Sequence, residues 1–200
     1  MTQTAAGDRK VRQTRSPGRP RSIEATEAVL DAAYRLSAAH GLRGATIQAI
    51  ADDTGVSKMT IYKWWENRLH LLIDAFLRKA NQALPLGPNG TAKEIICAHA
   101  ELYVTELQGD LGRVQLAVLA ECMAETGSTE LFVSRYLSIR RERGVEVIRR
   151  GQKSGEIKSR RPPEDVYDQI YGTIFYRSQF GLAGLDSAFV KSLIEASTGE

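Results

Sequence analysis

The stretch TIQAIADDTGVSKMTIYKWW, residues 46 to 65, holds a single glycine, and that glycine fixes most of what the segment can become. With Thr46 as the N-cap of a helix that starts at Ile47, Ile50 and Ala51 fall one turn later on the same face. Gly55 comes eight residues after Ile47, where a tight turn needs a positive φ and a side chain would cost energy. Val56 packs the turn, and Ser57 caps a second helix with Ile61 and Trp64 inward. Lys58, Met59, Thr60, Tyr62 and Lys63 are left mostly outward, and the small Ala51 lets the two helices cross closely. This spacing predicts a helix-turn-helix, the unit whose second helix enters the major groove of DNA. An ordinary helical hairpin fits the same spacing, so the outward face has to separate the two.

A solvated face would favour Glu and Lys in i, i+4 pairs. Here the second helix offers cations, hydroxyls and an apolar group, with no acidic residue on it. Phosphates accept from Lys, Thr and Tyr, while base edges take Lys, Thr and apolar contacts to the thymine methyl. Asn67 and Arg68, at the start of the next helix, add a donor and a charge near free backbone amides that suit a phosphate. Upstream, residues 1–21 carry six cations against Asp8, a net of +5 on a chain whose total is +3. A basic arm on a nearly neutral body points to a polyanion, the plainer reading being a solvated tail. Within the arm, SPGRPR places Arg19 and Arg21 where they suit a narrow, negative minor groove.

The rest of the chain reads as helices and little else. PLGPNG (85–90) and GEIKSRRPPED (155–165) are the clear breaks, and a long helical segment runs from about Thr129 to Gly151. No alternating pattern exceeds four residues, which predicts an all-α fold of nine or ten helices. No apolar run reaches 18 residues, so no membrane span is expected, and no secretory signal follows the N-terminal charges. Cys97 and Cys122 sit in apolar helical patterns and read as reduced core residues of a cytoplasmic protein. His40, His70 and His99 share no ligand spacing, and no nucleophile–base or paired-carboxylate motif occurs. Neither metal, cofactor nor catalysis is expected. The implied organisation is an arm (1–21), a helix-turn-helix domain (22–66) and a helical C-terminal domain (67–200).

Residues 29–72, VLDAAYRLSAAHGLRGATIQAIADDTGVSKMTIYKWWENRLHLL, resemble the DNA-binding domain of the TetR/AcrR family of bacterial transcriptional regulators. The resemblance rests on Gly41 ending the first helix, Thr46, Ile50-Ala51, Gly55-Val56-Ser57, and Thr60-Ile61-Tyr62 with an aromatic pair behind it. It implies a homodimer whose recognition helices read successive major grooves of a palindromic operator. A helical C-terminal domain would dimerise and hold a small-molecule effector whose binding releases the DNA. By the same resemblance, Thr46, Tyr62 and Lys63 sit at phosphate-contacting positions, and Lys58, Met59 and Thr60 at base-reading ones, beside Ser57 at the helix start. Arg68 stands in for the usual lysine of the fourth helix. Met59 and Ser37 depart from the common pattern: many members have glycine or alanine at the first position and phenylalanine at the second. Both tryptophans read as core first, with Trp65 against DNA the lesser reading.

The C-terminal part carries no diagnostic motif. Tyr103, Leu107, Leu116, Leu119, Glu121, Met123, Phe132, Tyr136 and Phe175 are pocket candidates by residue type, each also readable as plain core. Glu121, a carboxylate in an apolar helix, would suit a cationic ligand. In VYDQIYGTIFYRSQFG, the stripe Val166, Ile170, Thr173 and Ile174 adjoins Tyr167, Tyr171 and Phe175. So much apolar surface on one helix suggests a subunit contact, or else a fully buried helix. Arg140, Arg141, Arg143, Arg149 and Arg150 read as a solvated face. Two functional alternatives stay open: an activator of the same fold, and a DNA-binding protein without sequence preference.

Overall fold

Six helix starts among the described residues are set by side chains placed to receive the first free amides. In the computed structural model, which describes residues 22–87 and 89–199, the Ser22 hydroxyl accepts from the Ala25 amide and opens α1 (Ile23–Gly44). Thr46 caps α2 (Ile47–Thr54), Ser57 caps α3 (Lys58–Trp64) and Asn67 caps α4 (Arg68–Ala83), each accepting from the amide three residues on. Thr91 and Glu94 form a reciprocal capping box at α5 (Ala92–Leu107). Next comes α6 (Asp110–Thr126), closed by Gly127 in the left-handed region. A three-residue turn, α7 (Glu130–Phe132), runs through a π-helical stretch, Val133–Leu137, into α8 (Ser138–Ser154). Pro163 starts α9 (Pro163–Gln179), and Asp186 caps α10 (Ser187–Thr198). No strand occurs among the described residues.

Helices α1, α2 and α3 form one unit, and α1 and α4 pack along each other and onto α6. Val29, Ala33, Ile47, Ile50, Ala51, Ile61 and Trp65 are buried in the shared core. Each large aliphatic side chain fully removed from water here contributes about 1.5–3 kcal/mol. The remaining helices stack as α5 on α8, α8 on α9 and α10 across α5 and α9, around a core continuous with the first. Gly41 breaks the helix as its sequence position implies, with φ 69° inside α1, and three further residues then resume a turn. The fold is all-α, with the helix-turn-helix at one end and α5–α10 at the other.

Candidate nucleic-acid interface and internal cavity

Gly55 takes φ 69° and ψ 4°, the left-handed geometry that turns the chain between α2 and α3. Ile61 then faces fully into the core, which turns the opposite side of α3 to solvent. Lys58 and Lys63 are exposed there, Met59 is 82% exposed and Tyr62 55%. Thr60 is half-buried, its hydroxyl 2.9 Å from that of Ser57, and Thr46 presents an exposed cap at the start of α2. An exposed methionine and tyrosine beside two lysines, with no carboxylate on the helix, give a face that can take both phosphate and base edges. Arg19 and Arg21 lie outside the described residues.

Arg68 does not join that face. Its guanidinium donates to the Leu42 carbonyl at 2.6 Å and pairs with Glu121 of α6, with Glu125 at 3.9 Å. Its donors are thereby turned toward α1 and α6, so the expected phosphate contact gives way to a tie between α1, α4 and α6. Trp65 is 4% exposed, and its indole N–H donates to Asp74 Oδ2 at 2.9 Å, so it is a core residue and no DNA contact. Ser37, the other departure from the family pattern, is buried with its hydroxyl donating to the Ala33 carbonyl at 2.7 Å.

Behind this unit, α5, α6, α8, α9 and the π-helical stretch line a partly open cavity of about 380 Å³. Tyr103, Leu119, Phe132, Tyr136 and Phe175 line it, as their residue types suggest. The other candidates do not. Leu107 is buried against its own core, and Met123 points to solvent, as does Leu116. Glu121 is held by Arg68, away from the cavity, so it offers nothing to a cationic ligand. His99, Gln115, Arg140, Tyr167 and Tyr171 are lining residues that residue type alone passed over. Arg140 leaves the solvated face to which its neighbours belong: Arg141 pairs with Asp168, and Arg149 with Glu146 and Glu164.

The polar wall of the cavity has a fixed proton order. Arg140 donates to the Leu84 carbonyl at 2.9 Å and lies 2.8 Å from His99 Nε2. A guanidinium has no acceptor, so Nε2 carries the lone pair and Nδ1 the proton. Nδ1–H therefore donates to the Tyr171 oxygen, 2.7 Å away, and the Tyr171 hydrogen is left to point elsewhere. Burial, with the Arg140 charge second, lowers the His99 pKa to about 4 and keeps the ring neutral. Gln115 Nε2 donates to the Tyr103 oxygen at 3.2 Å, while Gln115 Oε1 is buried with no partner among the described residues. Burial raises the pKa of Tyr103, Tyr136, Tyr167 and Tyr171, so the hydroxyls stay protonated.

Of the stripe expected at a subunit contact, Val166, Ile170 and Ile174 are fully buried within their own chain, where α9 packs on α5 and α8. Thr173 is half-buried, its hydroxyl donating to the Gln169 carbonyl. That face of α9 is occupied; Gly172 borders the cavity, and Tyr176 and, just beyond the helix, Phe180 are exposed.

Two family models match the chain. Residues 29–75 match the N-terminal domain of bacterial regulatory proteins of the tetR family, and residues 88–197 match a tetracyclin repressor-like C-terminal domain. The HTH-type transcriptional regulator YdeS of Bacillus subtilis is 31% identical over 88% of this chain and 89% of its own length. The fatty acid metabolism regulator protein of Bacillus subtilis is 27% identical over 73% of this chain and 77% of its own. Among solved structures, the TetR family transcription regulator SCO0332 superposes with a TM-score of 0.72 at 24% identity, over 86% of this chain and 95% of that one. FadR from Bacillus subtilis in complex with stearoyl-CoA gives 0.64 at 22% identity, over 86% and 97%. The matched domains cover both halves of the chain, which belongs to the TetR family and is a DNA-binding transcriptional regulator.

Proposed function

We propose that this regulator is a cytoplasmic homodimeric repressor, released from a palindromic operator when a small molecule fills the α5–α9 cavity. The observation that carries the reading is the position of α4, which starts shortly after α3 and is tied to two walls of the cavity. Arg135, in the π-helical stretch beside cavity-lining Tyr136, pairs with Asp74 of α4 at 2.8 Å, and the other Asp74 oxygen accepts from Trp65. Phe76 of α4 meets the Tyr136 ring edge to face, with centroids 4.8 Å apart. On the second wall, Glu121 of α6 grips Arg68 at the first turn of α4. A ligand that moved Tyr136 or α6 would thus move α4, and α3 with it. Successive major grooves lie about 34 Å apart, so a few ångströms of spreading between two recognition helices breaks the register of one half-site. That the FadR fold relative forms a complex with stearoyl-CoA supports the reading that a regulator of this fold holds a small molecule. The exposed rings of Tyr176 and Phe180 support the end of α9 as the dimer face.

Selection of bound duplexes from a random pool by the purified protein, repeated at higher salt, tests the first half. The expected result is an enriched palindrome with half-sites one helical turn apart. Binding without enrichment that collapses as salt rises would refute base reading. For the second half, compounds that release a labelled operator from the wild type should fail on Leu119→Trp, whose side chain fills the cavity. Equal release from both proteins would place the effector elsewhere.

A further inference from the structure

The cavity's polar groups define the chemistry of what it takes up. We propose that its ligand is a carboxylate-bearing apolar molecule of one or two rings, with the carboxylate paired to Arg140 and a hydroxyl or N–H donated to Gln115 Oε1. This rests on the reading of the cavity as the effector site.

Three observations lead there. First, Arg140 is the cation of the cavity wall that no carboxylate neutralises among the described residues. Its terminal nitrogen donates to two neutral acceptors, the Leu84 carbonyl and His99. Asp168 also lines the cavity, but both of its oxygens accept from Arg141, at 2.8 and 2.6 Å, so its charge is answered from outside. A half-buried guanidinium without a counter-ion is a site for one, and the donors of its other terminal nitrogen and of Nε, engaged by no acceptor among the described residues, are left for a carboxylate. The protonated hydroxyls of Tyr136, Tyr167 and Tyr171 add donors and no competing negative charge.

Second, Gln115 is 3% exposed and its carbonyl oxygen faces no donor, although its amide nitrogen is bound to Tyr103. A buried acceptor left unpaired is costly, and a ligand donor relieves that cost on binding. Third, about 380 Å³ lies low in the range of about 300–1,000 Å³ that small-molecule pockets span, and the walls between the polar groups are aromatic rings. Compact ring systems fit such walls better than a long flexible chain.

The aromatic walls alone would also suit a quaternary ammonium, which binds over ring faces. Arg140 decides between the two. Its guanidinium already sits 5.7 Å from the centre of the Tyr136 ring, where such a cation would bind. Two like charges about 6 Å apart at an effective dielectric near 20 disfavour binding on the order of a hundredfold, and opposite charges favour it by a similar factor before desolvation.

Calorimetric titration of the full-length protein with matched probes tests the assignment. The series comprises 3-phenylpropanoate, its amide, the corresponding phenylpropyl trimethylammonium and 3-(4-hydroxyphenyl)propanoate, repeated with naphthyl in place of phenyl. The acids should bind about tenfold or more tightly than their amides, with the ammonium compounds weakest. Arg140→Gln should erase the acid–amide difference and Arg140→Lys should keep it, melting curves showing that both variants are folded. Gln115→Leu should erase any gain from the 4-hydroxyl group. If no acid binds more tightly than its amide, or an ammonium binds best, the ligand class is overturned. Running the titrations against operator-bound protein separates the two readings. Acid binding with the expected preference but without DNA release upholds the ligand class and refutes release. DNA release by the amide or ammonium in preference to the acid overturns the class and leaves the effector reading standing.

Discussion

Met59 is the exposed methionine of α3, and truncating it isolates what the recognition helix gains from apolar contact. At 82% exposure the side chain buries almost nothing in the free protein, and methionine and alanine are both strong helix formers. Met59→Ala should therefore change folding stability by less than about 0.5 kcal/mol. On DNA the position differs. Full burial of a methionine is worth about 1.5–3 kcal/mol, and truncation to the Cβ removes most of that, about 2 kcal/mol. The expected loss is then about 30-fold in affinity for the selected operator, where a thymine methyl can lie beneath the side chain. A scrambled duplex, held through phosphates, should be bound as before. Fluorescence anisotropy with both duplexes over a range of salt gives the affinities and the slope of log affinity against log salt. That slope should not change, because no phosphate contact is lost. Equal weakening on both duplexes, or an unchanged operator affinity, would refute the assignment of Met59 to base reading.

Lys63→Ala should behave in the opposite way, weakening operator and scrambled DNA alike and lowering the salt slope by about one. His99 links stability to pH. Its folded pKa of about 4 lies below the unfolded value of about 6.5, so the unfolded chain binds the extra proton between those values and stability falls as pH drops from about 6.5 to about 4. His99→Gln should flatten urea midpoints across that window, and an unaltered pH profile would mean that the ring titrates in the fold as it does in the unfolded chain. A Cβ on Gly144 would overlap the Tyr167 ring, so Gly144→Ala should cost about 1–3 kcal/mol by urea denaturation and weaken probe binding in the cavity that Tyr167 lines. Loss of stability with unchanged probe binding would show that the ring is free to move without reshaping the site.

The helix-turn-helix was legible because its determinants are local. Thr46, Gly55 and Ser57 act on amides or dihedrals within three residues of themselves, and Ile61 sets which side of α3 faces outward. The cavity depends on how helices meet, and local pattern misled there. In α6, Gln115 is buried while Leu116 and Met123 are exposed, an inversion that no hydropathy pattern of one helix reveals. Arg140 hid among four surface arginines. The π-helical stretch just before α8 carries an extra residue in its turn, which rotates the residues of α8 by about 100° relative to an uninterrupted α-helix. A count from Phe132 at 3.6 residues per turn therefore cannot place Arg140. On α9 the excess apolar face that suggested a subunit contact has a different cause: Val166, Ile170 and Ile174 fill the core, while Tyr167, Tyr171 and Phe175 wall an open cavity.

The two ties on α4 make a stricter test of coupling than either makes alone. Glu121 holds Arg68 at the first turn, and Arg135 holds Asp74 near the middle of the helix, so both cavity walls act on one rigid element. If α4 is the two-state element that both sites bias, cutting either tie should weaken communication without blinding either site. Coupling between effector and DNA is typically worth about 1–3 kcal/mol, or about 5–150-fold in affinity. Arg135→Met and Glu121→Gln should each reduce that factor several-fold, measured as the ratio of ligand affinities of free and operator-bound protein. Ligand affinity without DNA, and DNA affinity without ligand, should move less. The double variant then discriminates: a reduction no larger than that of one single variant means that both ties act through the same motion of α4, whereas multiplicative losses mean two separate routes. A coupling factor that survives both substitutions would refute transmission through these ties and leave the apolar contact of Phe76 on Tyr136 as the connection between cavity and helix-turn-helix.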